Sequence, residues 1–239
     1  MRIAEAPSPG TEPPSDTGPA VAAPRPIRSA GVHRRWIATS CHPRHRTIVA
    51  LDMEKSTLRT NPVKRELRHR TYLILDEALR QAGIRERHLD RLTDRGDGVL
   101  ALIRPVDEVP KTLLLDVFTP VLHTLLLEYN AGVADDPARC LRLRMVIHAG
   151  EVHDDGQGFF GEELDVAFRL LDARRVKRAL ARAHGPLAVV VSDEIYRAIV
   201  LHGYGGIDAG DYEPGVRVRV LDRQRYGWIN VPGAAAPLP

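Results

Sequence analysis

Cysteine is all but missing. Cys41 and Cys140 are the only two in 239 residues, enough for one bridge at most, whereas a secreted domain held by disulfides would be richer. Long hydrophobic runs are missing too: no stretch of sequence approaches the ~18 apolar residues of a membrane span. The N-terminus has no continuous apolar segment of the secretory kind, because Pro7, Pro9, Pro13 and Pro14 interrupt it. No segment repeats. These absences argue against a disulfide scaffold, a membrane protein, a secreted precursor and a repeat array, and make the cytoplasm the expected compartment.

What is present is the composition of a soluble globular chain, 44% hydrophobic and 27% charged. Its net charge of +3 is unevenly spread. Residues 1–46 carry seven Lys/Arg against three Asp/Glu, and the remainder carries 27 against 28. The folded part is therefore near neutral, which argues against a broad nucleic-acid face, since that needs Lys and Arg clustered on the domain itself. Residues 1–44 are rich in Pro, Ala, Gly and Ser. They bury too little to offset their ordering entropy, so they read as a disordered leader. Residues 232–239 read as a flexible tail, and one domain remains over 45–231.

Within it, Thr47 to Leu51 reads as a buried strand. A helix capped by Thr60, with Pro62 in its first turn, runs to Gly83. Two short strands, 88–94 and 98–103, are joined by Arg95-Gly96-Asp97 as a hairpin. A second long helix spans about 110–131, and Leu141 to His148 alternates as a strand does. A Gly-rich loop is expected from Gly150 to Gly161, then a helix from Glu162 to Ala183. The strand Leu187 to Val191, a helix capped by Ser192, and strands near 215–221 and 226–231 complete the domain. A hairpin inside mixed elements suggests an α+β sandwich, not a doubly wound parallel sheet.

Two aspartates stand out by position. Asp52 ends the first strand, and Asp97 sits at the hairpin tip between Gly96 and Gly98, where small neighbours let backbone and phosphate approach closely. Mg²⁺ takes a few carboxylate oxygens plus phosphate oxygens and is seldom caged by protein alone. Two aspartates on adjacent strands meet that demand. On spacing alone, Asp97-Gly98 also reads as an ordinary turn and Asp52 as a strand end.

The order of further segments separates these readings. Arg144-Met145-Val146-Ile147-His148-Ala149-Gly150-Glu151-Val152 is followed by Phe159-Phe160-Gly161 and by Asp165-Val166-Ala167-Phe168-Arg169-Leu170-Leu171. Here the sequence resembles the class III adenylate/guanylate cyclase family, over about residues 46–200. Val49-Ala50-Leu51-Asp52-Met53-Glu54-Lys55-Ser56 looks like its first metal motif, and Gly96-Asp97-Gly98-Val99-Leu100-Ala101 like its second. Arg144 to Val152 looks like its central strand, and Gly161 to Leu170 like the helix bearing its catalytic Asn and Arg.

The resemblance implies a ferredoxin-like α/β sandwich with a mainly antiparallel central sheet, working as a homodimer with active sites between subunits. Asp52, Asp97 and the Met53 carbonyl would hold two divalent ions, Mg²⁺ or Mn²⁺. The substrate would be a nucleoside triphosphate, converted to a 3′,5′-cyclic nucleotide and pyrophosphate by two-metal chemistry. The loop Glu54, Lys55, Ser56, Thr57 would receive the triphosphate on its amides. Arg169, supplied by the partner chain, would stabilise charge in the transition state.

The chain also departs from the family pattern. The Asn four residues before the arginine is Asp165 here, and an acidic group beside a triphosphate is repelled unless metal-bound or protonated. The base-reading lysine, four before the second metal aspartate, is Thr93, and its companion position is Gly158. The usual Gly-Phe of the first motif is Lys55-Ser56, where Lys55 reads either as a phosphate partner or as a solvated loop lysine. These departures leave the nucleobase open. They also favour a rival reading, a catalytically silent cyclase-like domain that binds nucleotide or a partner protein as a regulator. Arg174, Arg175, Lys177, Arg178 and Arg182 read as a solvated helix surface rather than a nucleic-acid contact. Cys41, His42 and His45 lack a second ligand cluster and read as no metal site, and His148 and His153 as packed or surface histidines.

Overall fold

Apolar alternation from Ile48 to Met53 builds the strand on which the rest is assembled. β1 (Arg44–Met53) points Val49, Leu51 and Met53 into one core and Ile48 and Ala50 into another, the period-two signature of a strand covered on both faces. The computed structural model describes residues 42–233. The expected leader up to residue 41, Cys41 included, and the tail beyond Gly233 lie outside the described residues.

β3 (Gly98–Ile103) pairs antiparallel along one side of β1, and β4 (Leu143–Asp154) along the other. With β2 (Thr93–Asp94), β6 (Leu187–Ser192), β7 (Glu213–Val220) and β8 (Arg223–Asn230), the sheet order is β2-β3-β1-β4-β6-β8-β7. β5 (Phe159–Phe160) pairs only with the end of β4. β4 and β6 run parallel and the other pairings are antiparallel. This is a mixed α+β fold with a mostly antiparallel open sheet, as the sequence implied.

Helices α1 (Asn61–Gln81) and α2 (Lys111–Ala131) cover the face to which Val49, Leu51 and Met53 point. Helices α3 (Glu162–Leu171) and α4 (Arg174–Arg182) cover the opposite face. α1 starts after Thr60 with Pro62 in its first turn, although the Thr60 side chain makes no capping bond. α5 (Asp193–Ala198) is capped by Ser192, whose hydroxyl oxygen accepts the Ile195 N–H at 3.4 Å. By length and composition α2 could cross a membrane. In this fold, however, it lays Leu114, Leu115, Phe118, Leu122 and Leu126 in the core, each worth roughly 1.5–3 kcal/mol when withdrawn from water. Its hydrogen-bond ladder widens into a π turn over Leu114–Phe118, just before Pro120, which has no N–H to continue a regular ladder.

Three expectations are corrected. The strand expected over 88–94 shrinks to Thr93–Asp94, with a lone bridge from Leu89 to Ile103. Asp90 instead turns to pair with Arg46 at 2.6 Å and Arg104 at 3.2 Å. The Gly-rich segment from Gly150 is not all loop. β4 continues to Asp154 because β1 keeps pairing as far as Arg44 opposite Val152. The helix expected over 162–183 breaks at Asp172–Ala173, where Ala173 is extended (φ −58, ψ 136). The break lets Leu170 and Leu171 on one segment and Val176 on the next reach the same core.

Candidate functional site

The two aspartates, 45 positions apart in sequence, become neighbours because β1 and β3 meet at one sheet edge. Asp52 is in register with Gly98, and the Met53 N–H donates to the Asp97 carbonyl at 3.1 Å. Gly98 is bare for a reason: a Cβ there would collide with the Leu51 carbonyl oxygen. Its absence lets the hairpin tip lie against β1. The Ser56 hydroxyl donates to Asp97 Oδ2 at 2.5 Å and orients that carboxylate. Beside it opens a hollow of about 230 Å³ lined by Met53, Ser56, Lys64, Arg68, Gly96 and Asp97.

Asp52 follows Ile48 and Ala50 onto the sheet face covered by α3, and is in register with Arg144 of β4. Their side chains form an ion pair with exposures of 21% for Asp52 and 11% for Arg144. Burial lowers the Arg144 pKa from its ordinary value, with the Asp172 carboxylate opposing. An arginine so perturbed is still a cation at neutral pH. Arg144 therefore neutralises Asp52 in the isolated chain, a role that sequence reading missed. The register of β4 against β1 was its only signal.

The donor chemistry at this edge suits a hard divalent cation. Asp52 and Asp97 offer carboxylate oxygens, and the Met53 carbonyl lies next in the chain. Among the described residues no group of three or more His, Cys, Asp or Glu gathers into a metal cage. Carboxylate and carbonyl oxygens are the donors a hard cation such as Mg²⁺ takes, with phosphate completing its shell. They do not fit a soft metal held by thiolates or imidazoles.

The loop expected to cradle phosphate is only partly free. The Glu54 N–H donates to the Arg142 carbonyl at 2.9 Å, and the buried Glu54 carboxylate faces the Arg142 guanidinium at 3.5 Å. Glu54 is therefore structural, and Lys55, Ser56 and Thr57 remain as candidate donors. Lys55 adopts the left-handed conformation (φ 56, ψ 30), which costs a residue with a Cβ about 1 kcal/mol. That cost explains why glycine is usual at this point of the motif. Lys64 and Arg68 were not foreseen. Their signal was four-residue spacing on the helix that follows the loop, which puts both on one face. Arg68 also bonds Asp94; their shared hydrogen bond raises the arginine pKa and lowers that of the carboxylate.

Asp165 and Arg169 stand one turn apart on the exposed side of α3. They are not the partners of Asp52 or Asp97, whose carboxylates engage Arg144 and Ser56. The Arg95 guanidinium lies 4.1 Å from the ring centre of Phe168, which ties the hairpin to α3 beside Arg169. Thr93 faces Leu100 across the β2–β3 ladder, and its hydroxyl is buried with no partner among the described residues. Gly158 lies in the turn before β5, its N–H donating to Asp155 Oδ1 at 3.0 Å. A side chain there would meet open space. His148 is packed, fully buried with Nε2 2.6 Å from Glu163 Oε2, and His153 stacks on Phe160.

No protein-family model matches the chain, and no curated protein matches it in sequence. Solved structures do match. One is an adenylate/guanylate cyclase/hydrolase from Silicibacter pomeroyi, 20% identical, covering 80% of this chain and 98% of its own at a TM-score of 0.51. Another is the guanylyl cyclase Cya2, 15% identical, covering 79% and 92% at 0.53. A third is the adenylyl cyclase CyaB from P. aeruginosa, 13% identical, covering 82% and 97% at 0.54. At such identities the likeness is one of fold, and that fold is the cyclase type.

Proposed function

We propose that the chain is a nucleotidyl cyclase that converts a nucleoside triphosphate to a 3′,5′-cyclic nucleotide and pyrophosphate. The observation that carries the reading is that β1 and β3 bring the backbones of Asp52 and Asp97 side by side, with Asp97 lining a hollow that Lys64 and Arg68 also line. The cyclase fold supports it. Asp52, Asp97 and the Met53 carbonyl would hold Mg²⁺ or Mn²⁺. When bound, such ions stabilise both the attacking and the leaving oxygens of a phosphoryl displacement. The residues of the chain do the remaining work. Ser56 holds the Asp97 carboxylate in place, and Lys64 and Arg68 offer charge to the phosphates. Arg169, exposed on α3, acts across a homodimer on the site of the partner, where a guanidinium neutralises charge growing on the phosphate.

Arg144 favours the second reading, a silent nucleotide-binding regulator, because it already neutralises Asp52. Asp165, Thr93 and Gly158 point the same way. The test incubates the protein with Mg²⁺ or Mn²⁺ and each of four ribonucleoside triphosphates, with products read by mass spectrometry. The enzyme reading expects a cyclic monophosphate that Asp97→Ala and Arg169→Ala each abolish. Mixing those two variants should restore part of it, because a mixed dimer keeps one intact site. Nucleotide binding without turnover under either metal would establish the silent reading instead.

A further inference from the structure

We propose that the groove between α4 and the β7–β8 hairpin binds a compact polyphosphate anion, separately from the aspartate site. The groove measures about 740 Å³ and is lined by Arg174, Arg175, Arg178, Arg182, Arg217 and Gly215. That volume lies within the range of small-molecule sites. At about 100° per residue, the four arginines of α4 fall within an arc of about 100°. They form one wall of the groove, where the sequence had suggested only a solvated helix surface. Arg217 approaches from β7, its guanidinium 5.5 Å from the Tyr226 ring centre.

β7 is the edge strand of the sheet and bulges between Pro214 and Val216. At the bulge, Gly215 (φ +128) has its Cβ position filled by the Arg175 guanidinium, 2.6–2.8 Å away. The bare backbone makes room for that side chain. None of the five arginines forms an ion pair with another described residue, whereas Lys177 on the flank is paired with Asp172. Like charges one turn apart repel, so an unpaired wall of guanidinium groups is best satisfied by an anion from outside.

Planar guanidinium forks match phosphate oxygens two at a time, and several converging forks suit adjoining phosphates. The exposed carboxylates of Asp211 and Glu213 lie at the same groove. They work against a long phosphodiester backbone and favour a compact ligand.

The full chain would be titrated calorimetrically with inorganic tripolyphosphate in EDTA, which silences any metal-dependent site. Saturable binding of one per chain is expected. It should weaken at least tenfold in Arg175→Ala/Arg178→Ala, weaken less when both become Lys, and persist in Asp97→Ala. Titration with ATP and GTP separates the sources. Tighter binding than tripolyphosphate identifies a nucleotide, and equal binding identifies the phosphates alone. Absence of saturable binding, equal binding by the double alanine variant, or tighter binding of citrate or a short oligonucleotide would overturn the proposal. Since Asp97→Ala keeps this groove intact, failure here is distinguishable from failure of the cyclase reading.

Discussion

Replacing Gly98 with Ala tests the contact that brings the two aspartates together. The added Cβ would meet the Leu51 carbonyl oxygen, a backbone atom that cannot swing aside as a side chain could. The β1–β3 ladder would have to open at the pair Asp52–Gly98, next to the bond from the Met53 N–H to Asp97. A destabilisation of about 2 kcal/mol is expected, mid-range for forcing a methyl into a packed interior. For a domain of this size that lowers Tm by about 4–8 °C. Gly96→Ala is the matched control. It has φ +80 but nothing within 4 Å of its Cβ position, so it carries only left-handed strain of about 1 kcal/mol. Differential scanning calorimetry with and without Mn²⁺ would read both variants. Gly98→Ala should lose the Mn²⁺-induced rise in Tm, and Gly96→Ala should keep it. If Gly98→Ala matched wild type in stability and in Mn²⁺ response, the argument from close approach would be wrong.

Two further outcomes follow from the ion pairs. Arg144→Met leaves Asp52 without its counter-ion. Stripping one partner from a buried pair costs about 3–5 kcal/mol, and partial exposure of Asp52 should reduce this to about 2 kcal/mol. The variant should gain more stability from Mn²⁺ than wild type does, and an equal gain would refute a neutralising role. On α3, the hydrogen bond from His148 holds the Glu163 carboxyl below its ordinary value, with Arg225 assisting. A depressed carboxylate stabilises the fold above its unfolded pKa and loses that contribution as pH falls through its folded value. Acid melting curves should therefore fall less steeply for Glu163→Gln than for wild type. Superimposable curves would contradict the assignment.

The sequence was most readable where chemistry and periodicity coincide. Asp52 at a strand end and Asp97 between glycines could be singled out because carboxylates with small neighbours suit a cation and phosphate, and the register of β1 against β3 sets their backbones side by side. The Arg144 partnership could not be read, because it depends on which residue of β4 falls opposite Asp52, a register set by distant pairing. The break at Ala173 was also invisible. No proline or glycine marks it, and the core it serves exists only after folding. The four-residue spacing of Asp165 and Arg169 puts both on one face of a helix, but it does not say which surface that face meets. The arc of arginines on α4 was legible in principle, since 174, 175, 178 and 182 project close together. Its opposing wall, Arg217 and Gly215, comes from a strand some 40 positions away.

The most direct test of the central claim is an electron paramagnetic resonance titration of Mn²⁺ against the protein, with 3′-deoxynucleoside triphosphates that cannot cyclise. Wild-type protein should sequester the ion in the presence of one of the four analogues. Asp52→Asn and Asp97→Asn should each weaken that uptake at least tenfold, and Asp107→Asn, exposed beyond the far end of β3, should leave it unchanged. Equal Mn²⁺ uptake by wild type and both site variants would contradict the account.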